Sequence, residues 1–391
     1  MNNLTQEFQK IFNRNEDPRT FFAPGRINLI GEHTDYNGGH VFPASISFGT
    51  YALGKRRKDT TFRFYSMNFP EAGVIECDLS NLRFNAQHDW ANYPKGMINH
   101  LIETGHSITY GADILYYGDI PNGAGLSSSA SIEMVTGVLL ERLFQLHIDR
   151  INLIKLGQKV ENDYIGVNSG IMDQFAIGMG EKNHAILLDC QTLDYDYAPI
   201  ELEDHAILII NTNKQRTLAG SKYNERRQQC EQALADLQKE LSIESLGALT
   251  NAQFEQHKQL IKNETNRKRA KHAVTENIRT LEALNKLQNG DLEGFGQLMN
   301  ASHHSLQHDY EVTGKELDTI VEAAWEQEGV IGARMTGAGF GGCAIAIVQK
   351  DNLDDFKQNV NQTYKKVTGY DATFYTAAIS DGAKEITKEV L

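Results

Sequence analysis

A glycine- and serine-rich turn limits the possible folds more than any other segment. It reads PNGAGLSSSA, residues 121–130, and follows DILYYGDI, an apolar run typical of a strand. Apolar residues then recur at helical spacing from Ile132 to Leu139. A strand that enters a helix through such a turn offers free backbone N–H groups and a positive helix end, which favour a phosphate. The segment therefore predicts a phosphate-binding turn; a capped helix without a ligand is the simpler alternative.

Three common nucleotide-binding patterns do not explain this turn. The chain contains no G-x-x-x-x-G-K-[ST] loop and neither the H-R-D nor the D-F-G motif of protein kinases. Gly337, Gly339 and Gly342 match G-x-G-x-x-G, but CAIAIV follows them, a strand-like run where a dinucleotide-binding motif requires a helix. We therefore expect a glycine-rich hairpin loop over a site, with a plain tight turn as the alternative.

A second polar segment, PGRINLIGEHTDYNGG (residues 24–39), predicts a site for a polyol. Arg26, Glu32, His33 and Asp35 surround a short apolar core, so a strand would deliver several polar side chains to one loop. Carboxylates accept hydrogen bonds from sugar hydroxyls, and a buried site of this kind rejects molecules that lack the hydroxyl. The alternative is a surface turn rich in Asn, Asp and Gly.

Asp173, in VNSGIMDQFA, is predicted to lie in the first turn of a helix that Asn168 or Ser169 caps. A carboxylate is favoured there by the helix dipole, and a neighbouring Arg26 would add to that effect. Such a group suits orienting and accepting from a hydroxyl. A purely structural role in stabilising the helix start is the alternative.

Composition narrows the class of protein. The 391 residues carry 38 Lys and Arg against 51 Asp and Glu, a formal net charge of -13, which argues against nucleic acid or an anionic membrane as the main partner. No apolar run is long enough to span a membrane, and the first twenty residues lack the apolar core of a signal peptide. The four cysteines form no paired motif. We therefore expect a cytoplasmic protein with reduced thiols.

The length predicts two domains. An acidic stretch followed by the apolar run AILIINTN places a soft boundary near Tyr197, giving domains 1–197 and 198–391. Residues 221–286 contain almost no Gly or Pro and are predicted to be rich in helix.

Together, these segments resemble the GHMP small-molecule kinases and, among them, the galactokinases. GRINLIGEHTDY resembles the galactokinase signature, PNGAGLSSSA the ATP loop of the family, and MTGAGFGGCAIAIV its third glycine motif. The resemblance implies an α/β (α+β) two-domain fold, with a ribosomal-protein-like N-terminal domain, a ferredoxin-like C-terminal domain and the active site between them.

The implied activity is transfer of the ATP γ-phosphoryl group to the anomeric hydroxyl of α-D-galactose, giving galactose 1-phosphate and ADP, the entry step of the Leloir pathway of galactose catabolism. The implied cofactors are ATP and Mg²⁺, and the implied substrate is D-galactose. We expect no nucleic acid or membrane partner, and a monomer or weak homo-oligomer. The alternatives are a non-catalytic sensor that binds galactose and ATP, and an N-acetylgalactosamine kinase.

The resemblance also implies roles for individual residues. Asp173 matches the catalytic Asp, and Arg26 the Arg that stabilises it. The residues that match the sugar-binding positions are Glu32, His33, Thr34, Asp35 and Tyr223. Those that match the phosphate loop are Gly123, Ala124, Gly125, Leu126, Ser127, Ser128 and Ser129. Ser129 and Glu161 match the Mg²⁺ ligands, and Ser66 matches a nucleotide-contacting Ser.

Overall fold

Helices and strands alternate along the chain and build three sheets. The computed structural model describes residues 2–121, 124–214 and 219–386. The strands in these ranges are β1 (Arg19–Asn28), β2 (His40–Val41), β3 (Pro43–Arg56), β4 (Thr61–Ser66), β5 (Ile75–Asp78), β6 (Ala112–Gly118), β7 (His184–Asp189), β8 (Tyr195–Pro199), β9 (His205–Asn211), β10 (Val330–Thr336), β11 (Cys343–Gln349), β12 (Thr373–Ala377) and β13 (Lys384–Ile386). The α-helices are α1 (Asn2–Phe12), α2 (Asn92–Glu103), α3 (Ser128–Phe144), α4 (Arg150–Lys159), α5 (Met172–Met179), α6 (Ala219–Leu237), α7 (Asn251–His257), α8 (Glu264–Gln288), α9 (Leu292–Ser305), α10 (Gly314–Trp325) and α11 (Leu353–Thr368).

The largest sheet carries the first polar segment on its longest strand pair. Its order is β13-β1-β3-β6-β4-β5, and β1 pairs with β3 over its whole length with a register shift between Pro24 and Gly25. A Cβ on Gly25 would lie only 2.7 Å from the carbonyl oxygen of Leu126. Glycine is therefore required where the turn before α3 approaches β1, and the backbone N–H of Arg26 donates to that same oxygen at 3.2 Å.

Helix α3 packs across β1 and β3 and supplies much of the first core. Ala130, Met134 and Leu139 are fully buried, together with Phe21 and Phe64 from the sheet. Each fully buried side chain of leucine size contributes about 1.5–3 kcal/mol. This packing fixes the start of α3, and so the serine-rich turn, against the sheet.

The second sheet has the strand order β10-β11-β9-β12, and one of its faces packs against residues of the first half of the chain. Along β9, Leu208 and Ile210 belong to a core that includes α10 and α11, whereas Ile207 and Ile209 belong to a core that includes Ile27 of β1. This alternation is the period of a strand that is buried on both faces. One apolar core therefore joins the end of β1 to the second sheet.

The predicted boundary at Tyr197 falls inside β8, which pairs with β7. The next sheet begins at His205, and β13 from the end of the described chain pairs with β1. The division into domains 1–197 and 198–391 stays a prediction. The helix-rich segment is confirmed, because α6, α7 and α8 occupy most of residues 219–288. None of the helices in the described ranges has the length and apolar character needed to cross a membrane.

Three arginines surround one buried carboxylate at the start of β6. Asp113 is fully buried and accepts from Arg14 Nε at 2.5 Å, Arg57 Nη1 at 3.0 Å and Arg63 Nε at 2.6 Å. Burial raises the pKa of this carboxyl, but the hydrogen bonds from Arg63 and Arg57 outweigh that effect and hold the pKa below its usual value. The cluster links the residues that follow α1 and β3 to β4 and β6.

We predict that Asp113→Ala lowers the free energy of unfolding by about 3 kcal/mol, because it leaves three neighbouring guanidinium groups without their shared anion. Urea unfolding followed by circular dichroism measures the change. Asp59→Ala is the matched control, since Asp59 pairs with Arg57 but is exposed, and exposed pairs contribute at most about 1 kcal/mol. Equal losses in the two variants would contradict the prediction.

Candidate active site

A cleft with about 720 Å³ of empty space, part of it open to solvent, forms the first cavity and lies beside the loop that follows β1. Its walls combine carboxylates, one arginine and two polar rings, and these lining side chains are Arg26, Glu32, His33, Asp35, Glu161, Asp173 and Tyr223. They come from β1, the loop after it, the segment after α4, α5 and α6. The polar residues that sequence analysis selected from separate segments are therefore brought together here.

Arg26 and Asp173 form a bidentate ion pair in this cavity. Arg26 Nε lies 2.7 Å from Asp173 Oδ1, and Nη2 lies 2.9 Å from Oδ2. Arg26 Nη1 also donates to the carbonyl of Gly125 at 2.9 Å, and Ser127 Oγ donates to Asp173 Oδ2 at 2.5 Å. Arg26 is buried, whereas about a quarter of the Asp173 side chain is exposed. The pair therefore leaves the carboxylate accessible from the cavity while fixing its orientation.

The predicted cap of α5 is wrong. The residue before the first helical position is Ile171, and its side chain makes no capping hydrogen bond. Asn168 and Ser169 precede Ile171 by three and two positions, too far from the helix start to cap it. Asp173 does lie in the first turn, as predicted, and Arg26 and Ser127 are its partners.

Glu32 lies in a buried ionic cluster that sequence analysis did not identify. Glu32 Oε1 accepts from the backbone N–H of Gly337 at 2.7 Å and lies 3.6 Å from Arg334 Nη1. Burial raises the pKa of Glu32, although Arg334 and Arg26 act in the opposite direction. The contact with Gly337 ties the loop after β1 to the third glycine motif.

Glu276 of α8 holds the backbone of the same loop. Its Oε1 accepts from the N–H groups of Gly31 at 3.0 Å and Glu32 at 3.3 Å, and from Ser302 Oγ at 2.5 Å. Its Oε2 accepts from Arg279 Nε at 2.8 Å. In the sequence this glutamate is one polar residue among many on a long helix, so only long-range contacts reveal its role.

Thr34 and Asp35 have different surroundings. Thr34 Oγ1 is buried within hydrogen-bond distance of the carbonyl oxygens of Gly31 and His40, and it does not line the cavity. Asp35 lines the cavity, and burial together with the charge of Asp173 raises its pKa to about 7. A Cβ on Gly170 would lie 1.8 Å from Asp35 Oδ2, so only glycine allows the carboxylate its position.

A second cavity, with about 740 Å³ of empty space that is partly open to solvent, lies at the start of α3. Ser66, Ser128 and Ser129 line it, together with the aromatic rings of Trp90 and Tyr93. Ser127 precedes the helix in a left-handed conformation with φ of 62°, which turns the chain sharply into α3. Within the predicted phosphate loop, Ala124 and Leu126 are buried and Gly125 is half-buried. Gly123 lies outside the described residues.

Ser129 and Glu161 connect the two cavities. The Ser129 side chain lines the second cavity and lies close enough to the Glu161 carboxylate, which lines the first, to act on its pKa. Burial and the nearby charge of Asp173 raise the pKa of Glu161. Glu133 lies close enough to Glu161 and Asp173 for their charges to raise its own pKa further, and its Oε1 has no hydrogen-bond partner among the described residues. Several carboxyl groups therefore lie together between the cavities and raise one another's pKa.

This donor set fits a hard cation that brings other ligands with it. In the described ranges, no group of three or more His, Cys, Asp or Glu side chains is arranged to hold a metal ion. Mg²⁺, however, keeps several waters and is commonly bound by one or two protein oxygens together with substrate phosphates. A hydroxyl and a carboxylate, beside further carboxyl groups that a cation would help to ionise, meet that requirement.

The third glycine motif forms the predicted hairpin. β10 and β11 pair antiparallel, and residues 337–342 connect them. Gly337 and Ala338 line the first cavity. Phe340 lies between Lys222 and Arg226 of α6, with the cationic atoms 5.6 Å and 5.8 Å from its ring centroid. The loop is therefore held against the helix that carries Tyr223.

Comparison with known proteins assigns the family. A family model described as the galactokinase galactose-binding signature matches residues 6–56, and models for the N-terminal and C-terminal domains of GHMP kinases match residues 92–181 and 280–366. The chain is 59% identical over 388 residues to a galactokinase of Exiguobacterium sibiricum, covering 99% of each chain. It is 57% identical to a galactokinase of Streptococcus thermophilus, covering 97% of this chain and 98% of that protein. The chain belongs to the galactokinase family.

The solved structures agree with this assignment. The crystal structure of Lactococcus lactis galactokinase complexed with galactose superposes with a TM-score of 0.97 at 54% identity, covering 98% of this chain and 99% of that one. A mevalonate kinase superposes with a TM-score of 0.65 at 21% identity, which shows the shared fold alone. The expected α/β GHMP kinase fold is confirmed, and so is the expectation that this member of the galactokinase family is an ATP-dependent sugar kinase.

We predict that Glu276→Gln lowers the free energy of unfolding at neutral pH by about 3 kcal/mol, because Arg334 and Arg279 lose a buried anion. Burial acts to raise the pKa of Glu276, but the charge of Arg279 prevails and lowers it from 4.5 to about 2. The stabilisation is therefore complete at pH values above the ordinary glutamate pKa of 4.5, and it is lost as the pH falls toward about 2, the pKa of Glu276 in the folded protein.

Urea unfolding at a series of pH values tests this prediction. The difference between the native protein and Glu276→Gln should shrink as pH falls from about 5 toward 2. Glu282→Gln is the matched control, because Glu282 is exposed on the same helix, and it should leave the pH dependence unchanged. A constant difference between the native protein and Glu276→Gln at every pH would refute the assignment of the charge to Glu276.

Proposed function

We propose that this enzyme transfers the γ-phosphoryl group of ATP to the anomeric hydroxyl of α-D-galactose, releasing α-D-galactose 1-phosphate and ADP. The observation that carries the proposal is the bidentate Arg26–Asp173 pair, which is exposed to a sugar-sized cavity and lies next to the turn before α3. The match to the galactokinase signature over residues 6–56 supports galactose as the acceptor. The solved galactokinase of Lactococcus lactis was complexed with galactose.

The sugar side of the site is built to read hydroxyl groups. Glu32 and Asp35 offer acceptor oxygens, and His33 and Tyr223 offer polar rings, all around one cavity. A sugar that lacks a matching hydroxyl would leave one of these buried groups unpaired, and such a mismatch reduces kcat/KM by orders of magnitude. We propose that these four residues bind galactose and that Thr34 acts by shaping the loop that carries them.

Asp173 and Arg26 act on the reacting groups in this proposal. Asp173 aligns the anomeric hydroxyl or accepts its proton, and Arg26 offsets negative charge as the phosphoryl group moves. The short bond from Ser127 to Asp173 Oδ2 holds the carboxylate next to the phosphate turn. Positioning of this kind is the main contribution that a protein makes to phosphoryl transfer.

The nucleotide side is assigned to the second cavity. We propose that backbone N–H groups of residues 123–129 and the start of α3 bind the ATP phosphates, because helix starts attract anions. Ser66, Trp90 and Tyr93 line the same cavity, where aromatic rings suit a nucleotide base. Both cavities reach the Ser129–Glu161 pair, so the γ-phosphate of ATP in this cavity would face the sugar.

We propose that Ser129 and Glu161 hold Mg²⁺ when ATP is present. The bound cation would supply charge neutralisation for the β- and γ-phosphate oxygens. Glu161 lines the first cavity and Ser129 lines the second, so the two groups lie where the cavities approach each other.

Two rival functions differ from this proposal in measurable ways. A non-catalytic sensor would bind galactose and ATP without turnover; an intact Arg26–Asp173 pair favours an enzyme. An N-acetylgalactosamine kinase would need room beside the sugar C2.

The two-domain division, the cytoplasmic location and the monomeric or weakly oligomeric state remain predictions.

We predict ADP release from Mg-ATP when galactose is supplied, and none with glucose or mevalonate, because the carboxylates are arranged for one pattern of hydroxyls. A coupled assay on purified protein measures ADP, with N-acetylgalactosamine as a further acceptor. Chelation of the metal by EDTA should abolish turnover. Galactose binding without ADP release would instead establish the sensor, and turnover only with N-acetylgalactosamine would establish the other kinase.

We predict that Asp173→Asn loses turnover by a factor of about 10³ or more while galactose binding is largely retained, because the amide keeps the shape of the carboxylate but not its charge. Calorimetry measures binding, and the ADP assay measures turnover. Asp163→Asn is the control, since Asp163 is exposed nearby and should behave as the native protein. Near-normal turnover in Asp173→Asn would exclude the proposed role.

A further inference from the structure

Four buried or half-buried side chains form a continuous hydrogen-bonded row that ends at the sugar cavity. Cys230 Sγ lies 3.2 Å from the Tyr310 hydroxyl, and the Tyr310 hydroxyl lies 2.7 Å from the Tyr36 hydroxyl. The Tyr36 hydroxyl lies 2.8 Å from His33 Nδ1. At the far end, His33 Nε2 lies 3.3 Å from the carbonyl oxygen of Ala338.

The carbonyl at one end fixes the direction of every bond in this row. A carbonyl oxygen can only accept, so His33 Nε2 must carry a hydrogen. Burial, together with nearby positive charge, lowers the pKa of His33 to about 3, so the ring is neutral and its Nδ1 carries none. Tyr36 therefore donates to Nδ1 and accepts from Tyr310, and Tyr310 accepts from the Cys230 thiol.

We propose that Tyr36 and Tyr310 are positioning residues that hold His33 in its Nε2–H form, so that the sugar cavity presents a hydrogen-bond donor at this point. The inference rests on the proposed function, because it assigns His33 to the sugar. Tyr36 acts directly on the ring, and Tyr310 acts by donating to Tyr36. Neither tyrosine lines the cavity.

A donor at this position complements the rest of the cavity. Glu32, Asp35 and Asp173 offer carboxylate oxygens, which accept from sugar hydroxyls. The Nε2–H group of His33 instead requires a sugar oxygen that accepts. Its contact with the Ala338 carbonyl, at 3.3 Å, is long for an N–H···O bond. Replacing that carbonyl by a sugar oxygen would therefore cost little hydrogen-bond energy.

Ring packing and hydrogen bonding can be separated in this row. The His33 ring lies 4.8 Å from that of Tyr310 and 5.9 Å from that of Tyr36, centroid to centroid. Phenylalanine keeps the rings and removes only the hydroxyl groups. Tyr36→Phe removes the donor to Nδ1, and Tyr310→Phe removes the donor to Tyr36.

The first test is the tautomer of His33, measured by ¹⁵N-detected NMR on the full chain without sugar. In the native protein we expect the hydrogen on Nε2. In Tyr36→Phe we expect both tautomers, because Nδ1 has lost its donor. An Nδ1–H ring or an imidazolium in the native protein at neutral pH would overturn the proposal, as would an unchanged spectrum in Tyr36→Phe.

The second test is steady-state kinetics. Tyr36→Phe should raise the KM for galactose by about three- to tenfold, the equivalent of one hydrogen bond, and Tyr310→Phe should raise it less. The KM for ATP should stay at its native value. Tyr364→Phe is the matched control, because its buried hydroxyl donates to the Thr212 carbonyl at 2.8 Å in another part of the fold. A similar rise in both KM values in Tyr36→Phe would show a merely structural role.

A double-mutant cycle separates the positioning role from direct sugar contact. A Gln at position 33 carries an N–H close to the Nε2 position and needs no tautomer to be selected. In the His33→Gln background, Tyr36→Phe should therefore change the galactose KM by less than about twofold. A further full-sized rise in KM would overturn the proposal. Failure of the proposed function is recognised separately, as the absence of galactose turnover in the native protein whatever the His33 tautomer.

Discussion

One buried carboxylate holds in place the loop after β1. Glu276 accepts from two consecutive backbone N–H groups after β1, those of Gly31 and Glu32, from a helix that lies about 245 residues further along the chain. Its charge is offset by Arg279 and by Arg334, which is itself fully buried and lies 3.6 Å from Glu32. Because a buried charge without a partner is costly, these groups fix one another. The first polar segment therefore cannot take its final shape until α8 and β10 are in place.

The local features of the site could be predicted from the sequence. The turn before α3, the hairpin after β10 and the position of Asp173 in the first turn of α5 all follow from Gly, Ser and Asp at short spacings next to apolar runs. Such features depend on the backbone within a few residues. The ion pair between Arg26 and Asp173 could also be predicted from the sequence, since an ionised Asp at a buried site needs a cationic partner.

The long-range features could not be predicted in this way. Glu276 and the Tyr36–Tyr310 contact involve partners about 245 and 274 positions away, and in the sequence they are ordinary polar residues of a helix or turn. The expected cap of α5 was wrong because the helix starts later than the local pattern suggests. The boundary at Tyr197 was placed by composition, which cannot show that β8 continues across it.

Neighbouring carboxyl groups at the site raise one another's pKa, and bound ligands would reduce this repulsion. The charge of Asp173 contributes to raising the pKa of Asp35 and of Glu161, after burial, and Glu161 and Asp173 both act on Glu133. Arg26 forms its ion pair with Asp173, and this one guanidinium lies among several carboxyl groups around the cavity. Sugar hydroxyls that donate to Asp35, and a cation near Glu161, each remove part of this repulsion. In the proposed function, the same carboxyl groups whose proximity is costly to stability would give the site its affinity for a polyol and a divalent ion, which is the trade between stability and function expected at an active site.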